Sequence, residues 1–285
     1  MAWIITKKPV NFPESIKKYN PMQLKELCQQ CLPIINEVGA FIRKELGSVT
    51  NQAIETKSRN SLVSYVDKTA ESMLVEKLSQ LLPEATFLTE EDTIENQESS
   101  LRWIIDPLDG TTNFLYSIPI FAISVGLEKN GELVLGIVQE VVRQENFYAW
   151  KDGGAYCNGK RIRVSDRETL ADSLLATGFP YYDFERTEDY LQVLGHFMKE
   201  TRGLRRLGAA AVDLAFVACG RFDAFFEYAL SPWDVAAGIV LVREAGGKVS
   251  GFSTKTDFTT GKEIIASNGH IHQAMQASTK ALARD

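Results

Sequence analysis

The nine residues Asp106-Pro107-Leu108-Asp109-Gly110-Thr111-Thr112-Asn113-Phe114 decide how the rest of this 285-residue chain is read. They follow the apolar run Leu101 to Ile105, whose length and residue types predict a buried strand. Asp106 then falls at the end of that strand, where Pro107 fixes φ, removes a donor and stops the ladder from continuing. Asp109-Gly110 reads as a turn. With Thr111 to Phe114 opening a helix, the free backbone N–H groups at Gly110, Thr111 and Thr112 point into the space that the two carboxylates face. Donors for an anion and ligands for a cation then share one cleft.

Working outward, the composition is that of an ordinary globular protein, 45% hydrophobic and 24% charged, and the length suits one large domain or two modest ones. A formal net charge of −6 argues against nucleic-acid binding and offers an anionic substrate no basic field. Bound cations would have to reverse the local potential before a phosphate ester could approach. The N-terminal residues lack the long apolar stretch of a signal peptide, and no uncharged run is long enough to span a bilayer, so the expectation is a cytoplasmic protein with no membrane contact. Cys28, Cys31, Cys157 and Cys219 make no disulfide framework. Cys28-Gln29-Gln30-Cys31 lies inside an apolar helical pattern and reads as two half-buried helix residues rather than a metal or redox pair.

Along the chain, residues 1–20 read as an irregular extension. Leu24, Leu27, Cys31, Ile35, Val38 and Ile42 recur at helical spacing, with Pro33 a candidate kink. The polar stretch Gly47 to Ser61 reads as a long loop. Asp67 reads as the N-cap of a helix whose apolar stripe is Ala70, Leu74, Leu78 and Leu81, closed by Pro83. From Phe121 to Val164 the pattern becomes β, with hairpin signals at Asn130-Gly131 and Asn158-Gly159 that predict an antiparallel sheet. Beyond Ser165, short strands at 173–177, 222–228 and 263–266 alternate with helical patterns at 187–199, 209–219, 233–245 and 268–283. The expected fold class is therefore layered α/β, divided near residue 160 into an N-terminal α+β part (1–160) and a C-terminal α/β part (161–285).

Carboxylates recur at the ends of these predicted elements: Asp67 before a helix, Glu90-Glu91 after the strand-like Thr86 to Thr89, Asp106 and Asp109, and Asp234 at a helix start. Singly, each reads as a cap or a solvated strand end. Together they form an all-oxygen ligand set from several segments, while His196, His270 and His272 lie elsewhere, which favours Mg²⁺ over zinc. Two cations sharing a carboxylate would clamp a phosphate and activate water, the chemistry of a metal-assisted phosphatase. Neither a phosphate-binding P-loop, a dinucleotide fingerprint nor a zinc-protease helix is present.

Two blocks, Trp103 to Phe114 and Trp233-Asp234-Val235-Ala236-Ala237-Gly238 with Glu244-Ala245-Gly246-Gly247 following, make the chain resemble the inositol monophosphatases from about residue 22 to 280. That family belongs to the Mg²⁺-dependent, lithium-sensitive phosphatases. The resemblance implies a five-layer αβαβα sandwich, a homodimer, and two or three Mg²⁺ ions per site. It implies that Glu90, Asp106 and the Leu108 carbonyl hold one ion, and that Asp106, Asp109 and Asp234 hold a second. Thr111 paired with Asp67 would orient the attacking water, with Glu90 also in the catalytic set and Glu91 holding its neighbours in place. Gly110 and Thr111 would bind phosphate, Asp234 would meet the ester side, and Glu227 and Ala210 would contact the polyol. On spacing alone Glu227 reads as a surface charge at a strand end. Thr112-Asn113 after Asp-Gly-Thr separates the chain from nucleotide 3′-phosphatases and fructose bisphosphatases, and the aromatic segment Gly178 to Phe184 lies where relatives vary their substrate contacts. The function implied is hydrolysis of myo-inositol monophosphate or a similar small polyol phosphate. The alternatives are the same chemistry on histidinol phosphate, a sugar phosphate or a nucleotide 3′-phosphate, or a regulatory role through a partner protein.

Overall fold

The computed structural model describes residues 21–49, 54–58, 61–95, 99–180, 183–253 and 256–283. Helices α1 (Pro21–Glu45) and α2 (Tyr65–Leu81) cover one face of a seven-stranded sheet. That sheet comprises β3 (Thr86–Thr89), β4 (Leu101–Asp109), β5 (Ala122–Lys129), β6 (Glu132–Glu140), β7 (Glu145–Trp150), β8 (Gly154–Cys157) and β9 (Lys160–Ile162), in that spatial order. The short α3 (Thr111–Leu115) follows β4. Helices α5 (Ala210–Ala218) and α6 (Pro232–Glu244) pack on its other face and separate it from a five-stranded sheet. The second sheet has the order β11 (Gly203–Arg205), β10 (Leu174–Thr177), β12 (Ala224–Tyr228), β14 (Glu263–Ser267), β13 (Lys248–Ser250). Helices α4 (Thr187–Glu200) and α7 (His272–Thr279) close its outer face. The result is the αβαβα sandwich, with one apolar core under α1 and α2, one between the sheets, and one beneath α4 and α7.

Alternation along the strands assigns the faces. On β5, Ile123, Val125 and Leu127 point into the core under α1 and α2, and Ala122, Ser124 and Gly126 point toward α6. The α6 face is built from small residues because the helix lies almost on the sheet backbone. A Cβ on Gly136 would sit 2.4 Å from the Ala237 carbonyl oxygen, and one on Gly126 would sit 2.9 Å from Ala236 Cβ. Ser124 Oγ donates to the Trp233 carbonyl at 2.9 Å and ties the start of α6 to the sheet.

Several sequence expectations need correction. The predicted loop from Gly47 to Ser61 contains β1 (Ile54–Ser58), which pairs antiparallel with β2 (Ser61–Ser64); the part at 50–53 and 59–60 lies outside the described residues, as does the extension at 1–20. Ser64, not Asp67, is the N-cap of α2, and Asp67 at the third helical position closes the capping box. The C-terminal helix starts at His272 rather than Asn268, because the Asn268 carboxamide takes the backbone N–H groups of His270 and Ile271. Cys28 and Cys31 are fully buried helix residues, and burial pushes the Cys28 thiol up to about 12.

The most consequential correction concerns Pro107. The strand does not stop there; β4 runs on to Asp109 through a bulge in which Asp106 pairs with Ser124 and Asp109 with Ala122. Three steps on β4 match two on β5, so Pro107 sits where no ladder donor is required. A regular strand would send residues three apart to opposite faces. The bulge puts Asp109 on the same side as Asp106, facing α5 and α6.

Because α6 touches the sheet through Gly136, replacing that glycine with alanine is expected to cost about 2–3 kcal/mol by overpacking. Chemical denaturation of the two chains measures the difference; a Gly136→Ala chain as stable as the parent would contradict the contact.

Candidate active site

The bulge, the start of α5 and the start of α6 meet at one cavity of about 300 Å³ between the two sheets. Asp106, Asp109 and Asp234 each present a carboxylate oxygen there, all three within 4.8 Å of one another. Each carboxylate is fixed by a backbone donor, local for Asp106 and Asp234 and from the start of α5 for Asp109. Leu108 N–H donates to Asp106 Oδ1 at 2.9 Å, Ala211 N–H to Asp109 Oδ2 at 2.7 Å, and Ser231 N–H to Asp234 Oδ2 at 2.7 Å. Asp109 thereby caps α5, a helix of the central layer, from the large sheet.

The remaining sequence-selected residues are arranged around this trio. Glu90, Leu108, Gly110, Thr111, Ala210 and Glu227 all line the cavity. Gly110 is the N-cap of α3 and has a left-handed backbone, φ 90°. Asp67 and Glu91 are not in the wall. Asp67 is joined to it by Thr111, whose hydroxyl lies 2.9 Å from Asp67 Oδ1 and 3.0 Å from the Leu108 carbonyl. One hydroxyl proton can serve only one acceptor, and the carboxylate is the stronger, which leaves the Leu108 carbonyl available to a cation. Asp67 is itself anchored by Ser64 N–H at 2.9 Å and Ser64 Oγ at 2.7 Å.

Three further residues carry the geometry and were not singled out in the sequence. Glu71, fully buried on α2, accepts from Glu91 N–H and Thr93 N–H, both at 2.8 Å, and so holds the segment that presents Glu90. Its spacing of four from Asp67, on the apolar stripe, was the available signal. Asp213 on α5 lines the cavity at 1% exposure and is the only charge in the apolar run Ala209 to Ala218. Arg206 also lines it, with its guanidinium 5.5 Å from the centre of the half-exposed Phe179 ring; nothing local in the sequence distinguishes it from Arg205. Glu227 is not the surface charge that spacing suggested: it is 5% exposed on β12, beside Gly178, where a Cβ would lie 2.0 Å from its Oε1. Tyr181 and Tyr182 of the aromatic segment lie outside the described residues.

Six carboxylates, Glu90, Asp106, Asp109, Asp213, Glu227 and Asp234, therefore face Arg206, the one cation among the described lining residues. Burial first, then the charges of Glu90, Asp109 and Asp234, push Asp106 well above the usual carboxylate range. Burial raises Asp234 well above it too, with Asp109 and Glu90 adding to the effect. Asp109 is pushed up to about 7 by burial, against the pull of the Ala211 and Ala210 N–H groups. The donor set is hard oxygen and strongly anionic, which fits divalent cations such as Mg²⁺. Without cations, the folded chain keeps the Asp109 proton up to about pH 7, whereas the unfolded chain releases it near pH 3.9. This group's contribution to stability therefore falls as pH rises from about 4 to 7 and stays low above that. In EDTA at pH 8, Asp109→Asn should exceed the parent in stability by on the order of a few kcal/mol, a gap that closes toward pH 4. Thermal melts across that range check the sign, and a variant less stable than its parent at pH 8 would refute it.

Comparison with known proteins gives a consistent picture. The model of the inositol monophosphatase family matches residues 24–284. The chain is 40% identical over 245 residues to an inositol-1-monophosphatase of Mesorhizobium japonicum, covering 86% of this chain and 92% of that one. It is 40% identical to the Nus factor SuhB of Escherichia coli strain K12, over 81% of this chain and 88% of that one. The crystal structure of the extragenic suppressor protein suhB from Bartonella henselae superposes with a TM-score of 0.85 at 40% identity, covering 90% of this chain and 98% of that one. With the layered fold and the acidic cavity already in place, these matches establish that the chain belongs to the inositol monophosphatase family and is a phosphoric monoester hydrolase.

Proposed function

We propose that this hydrolase releases inorganic phosphate from myo-inositol monophosphate or a closely similar polyol phosphate, with Mg²⁺ as its cofactor. The observation that carries this reading is the meeting of three carboxylate oxygens within 4.8 Å in a cavity whose other wall holds Glu227 and Ala210. Glu90, Asp106 and the Leu108 carbonyl would hold one cation, and Asp106, Asp109 and Asp234 a second, with Asp106 shared. A third ion would lean on Glu90. When bound, Mg²⁺ supplies Lewis-acid polarisation of the phosphate and activation of the attacking water.

The chain's own residues do the rest. The Asp67–Thr111 pair orients the attacking water and takes up its proton at the Asp67 carboxylate. Backbone N–H groups at Gly110 and Thr111 bind phosphate oxygens. Asp234 meets the ester side, Glu227 and the start of α5 at Ala210 meet polyol hydroxyls, and Glu91 steadies its neighbours. The change of sheet near residue 160 serves as the boundary between an N-terminal part supplying most cation ligands and a C-terminal part supplying Asp234 and the polyol contacts. Homodimeric assembly follows from the family resemblance, and a cytoplasmic location is part of the same proposal; among the described residues no helix is long and apolar enough to cross a membrane. A relative named a Nus factor favours a second, regulatory role through a partner protein.

Phosphate release from inositol 1-phosphate should rise with added Mg²⁺, vanish in EDTA and fall at least about a hundredfold in Asp106→Asn. Full activity in EDTA, or in that variant, would exclude the reading. Thr111→Ala should lower kcat by roughly a hundredfold or more while leaving KM near its parent value, since it removes the partner that orients the nucleophile. A rise in KM alone would assign Thr111 to binding instead.

A further inference from the structure

Asp213 is the cavity carboxylate to which the reaction above gives no task. It is 1% exposed, it lines the cavity, and its Oδ1 is buried without a hydrogen-bond partner. Such an oxygen is costly to fold around, and buried polar atoms in native proteins nearly always have partners. Among the described residues none supplies a partner to Oδ1, although Arg206 is close enough to offset part of its charge. A partner for this carboxylate can come from the cavity that Asp213 lines.

Its place on α5 shows which part of a substrate that partner would be. Asp213 lies three residues after Ala210, so both occupy the same face of the helix, and both line the cavity. Asp109, at the cation end, caps the helix one turn earlier through Ala211. Glu227 on β12, and after it Asp109, act electrostatically on Asp213, and Arg206, held against Phe179, offsets part of the charge on both Asp213 and Glu227. Asp213 therefore stands beyond the cation ligands, on the side where the alcohol portion of an ester would lie.

Resting on the proposed polyol phosphatase reading, we propose that Asp213 is a specificity-determining residue whose carboxylate accepts a hydrogen bond from a substrate hydroxyl other than the one met by Glu227. The substrate class is then a phosphate ester of a polyol with at least two hydroxyls set back from the ester oxygen. An alkyl phosphate of the same ring size leaves this carboxylate as it is in the empty cavity and gains nothing from it. Discrimination arises because only the hydroxylated ester relieves the unpartnered oxygen.

The experiment compares the parent, Asp213→Ala and Asp213→Asn on two esters with the same six-membered ring, inositol 1-phosphate and cyclohexyl phosphate, at saturating Mg²⁺. Alanine fits the Ala-rich face of α5 and removes an unpartnered carboxylate, so its melting temperature should not fall below the parent's. It should lose about ten- to a hundredfold in kcat/KM on inositol 1-phosphate, mainly through KM, and at most about twofold on cyclohexyl phosphate. Asparagine retains an amide oxygen as acceptor and should recover much of that loss. Parallel losses on both esters, or an unchanged kcat/KM on inositol 1-phosphate, would overturn the role of Asp213 alone. A parent chain that cleaves neither ester would overturn the polyol phosphatase reading on which it rests.

Discussion

Crowding of like charge in a poorly solvated space is the constraint on which this structure turns. Carboxylates that have lost water repel one another far more strongly than they would at the surface. The fold holds them together by spending backbone donors at places where the chain changes direction. Ser64 serves Asp67, Leu108 serves Asp106, Ala211 serves Asp109 and Ser231 serves Asp234. Three of those four donors belong to the first turns or caps of α2, α5 and α6, whose dipoles also favour negative charge. Substantial charge is left over, and a hard-oxygen set of that charge suits divalent cations.

The layered architecture serves the same end. The site draws on β4 from one sheet, on β12 from the other and on the helices between them, so its geometry is only as good as the spacing of the layers. Glycines at 126 and 136 let α6 settle against the large sheet, and Ser124 pins its first turn. Asp234 reaches Asp106 because that helix lies so low. Packing between the sheets and metal chemistry are one design problem here, which explains why the central core is rich in alanine.

Much of this was legible in the sequence, and what was not has identifiable physical causes. Alternation and helical periodicity report burial on one face, so long elements such as α1, β5, β6 and α6 declared themselves. The three-residue edge strands β11 and β13 bury too little to leave a pattern, and the hairpin β1–β2 is written in a mostly polar sequence. Pro107 misled because proline in mid-strand normally ends a ladder, and only cross-strand pairing reveals a bulge. Asp106, Asp109 and Asp234 could be recognised by motif, whereas Glu71 acts from across the fold on a loop twenty residues away. Its spacing from Asp67 could mark it as buried, but the loop it holds is fixed by tertiary contact.

The bulge at Pro107-Leu108 makes the site a matter of parity. On an extended strand, side chains take one face or the other according to whether an odd or even number of steps separates them, and the bulge supplies the missing half of a pair. Substitution at positions 107 or 108 changes a side chain while leaving that count intact. Loss of a single residue between Asp106 and Asp109 leaves the two carboxylates an even two steps apart, but it abolishes the bulged turn in which the Leu108 N–H holds Asp106. The motif is therefore tolerant in letters and rigid in length, and insertions and deletions, rather than point changes, are the lesions this fold has least means to absorb.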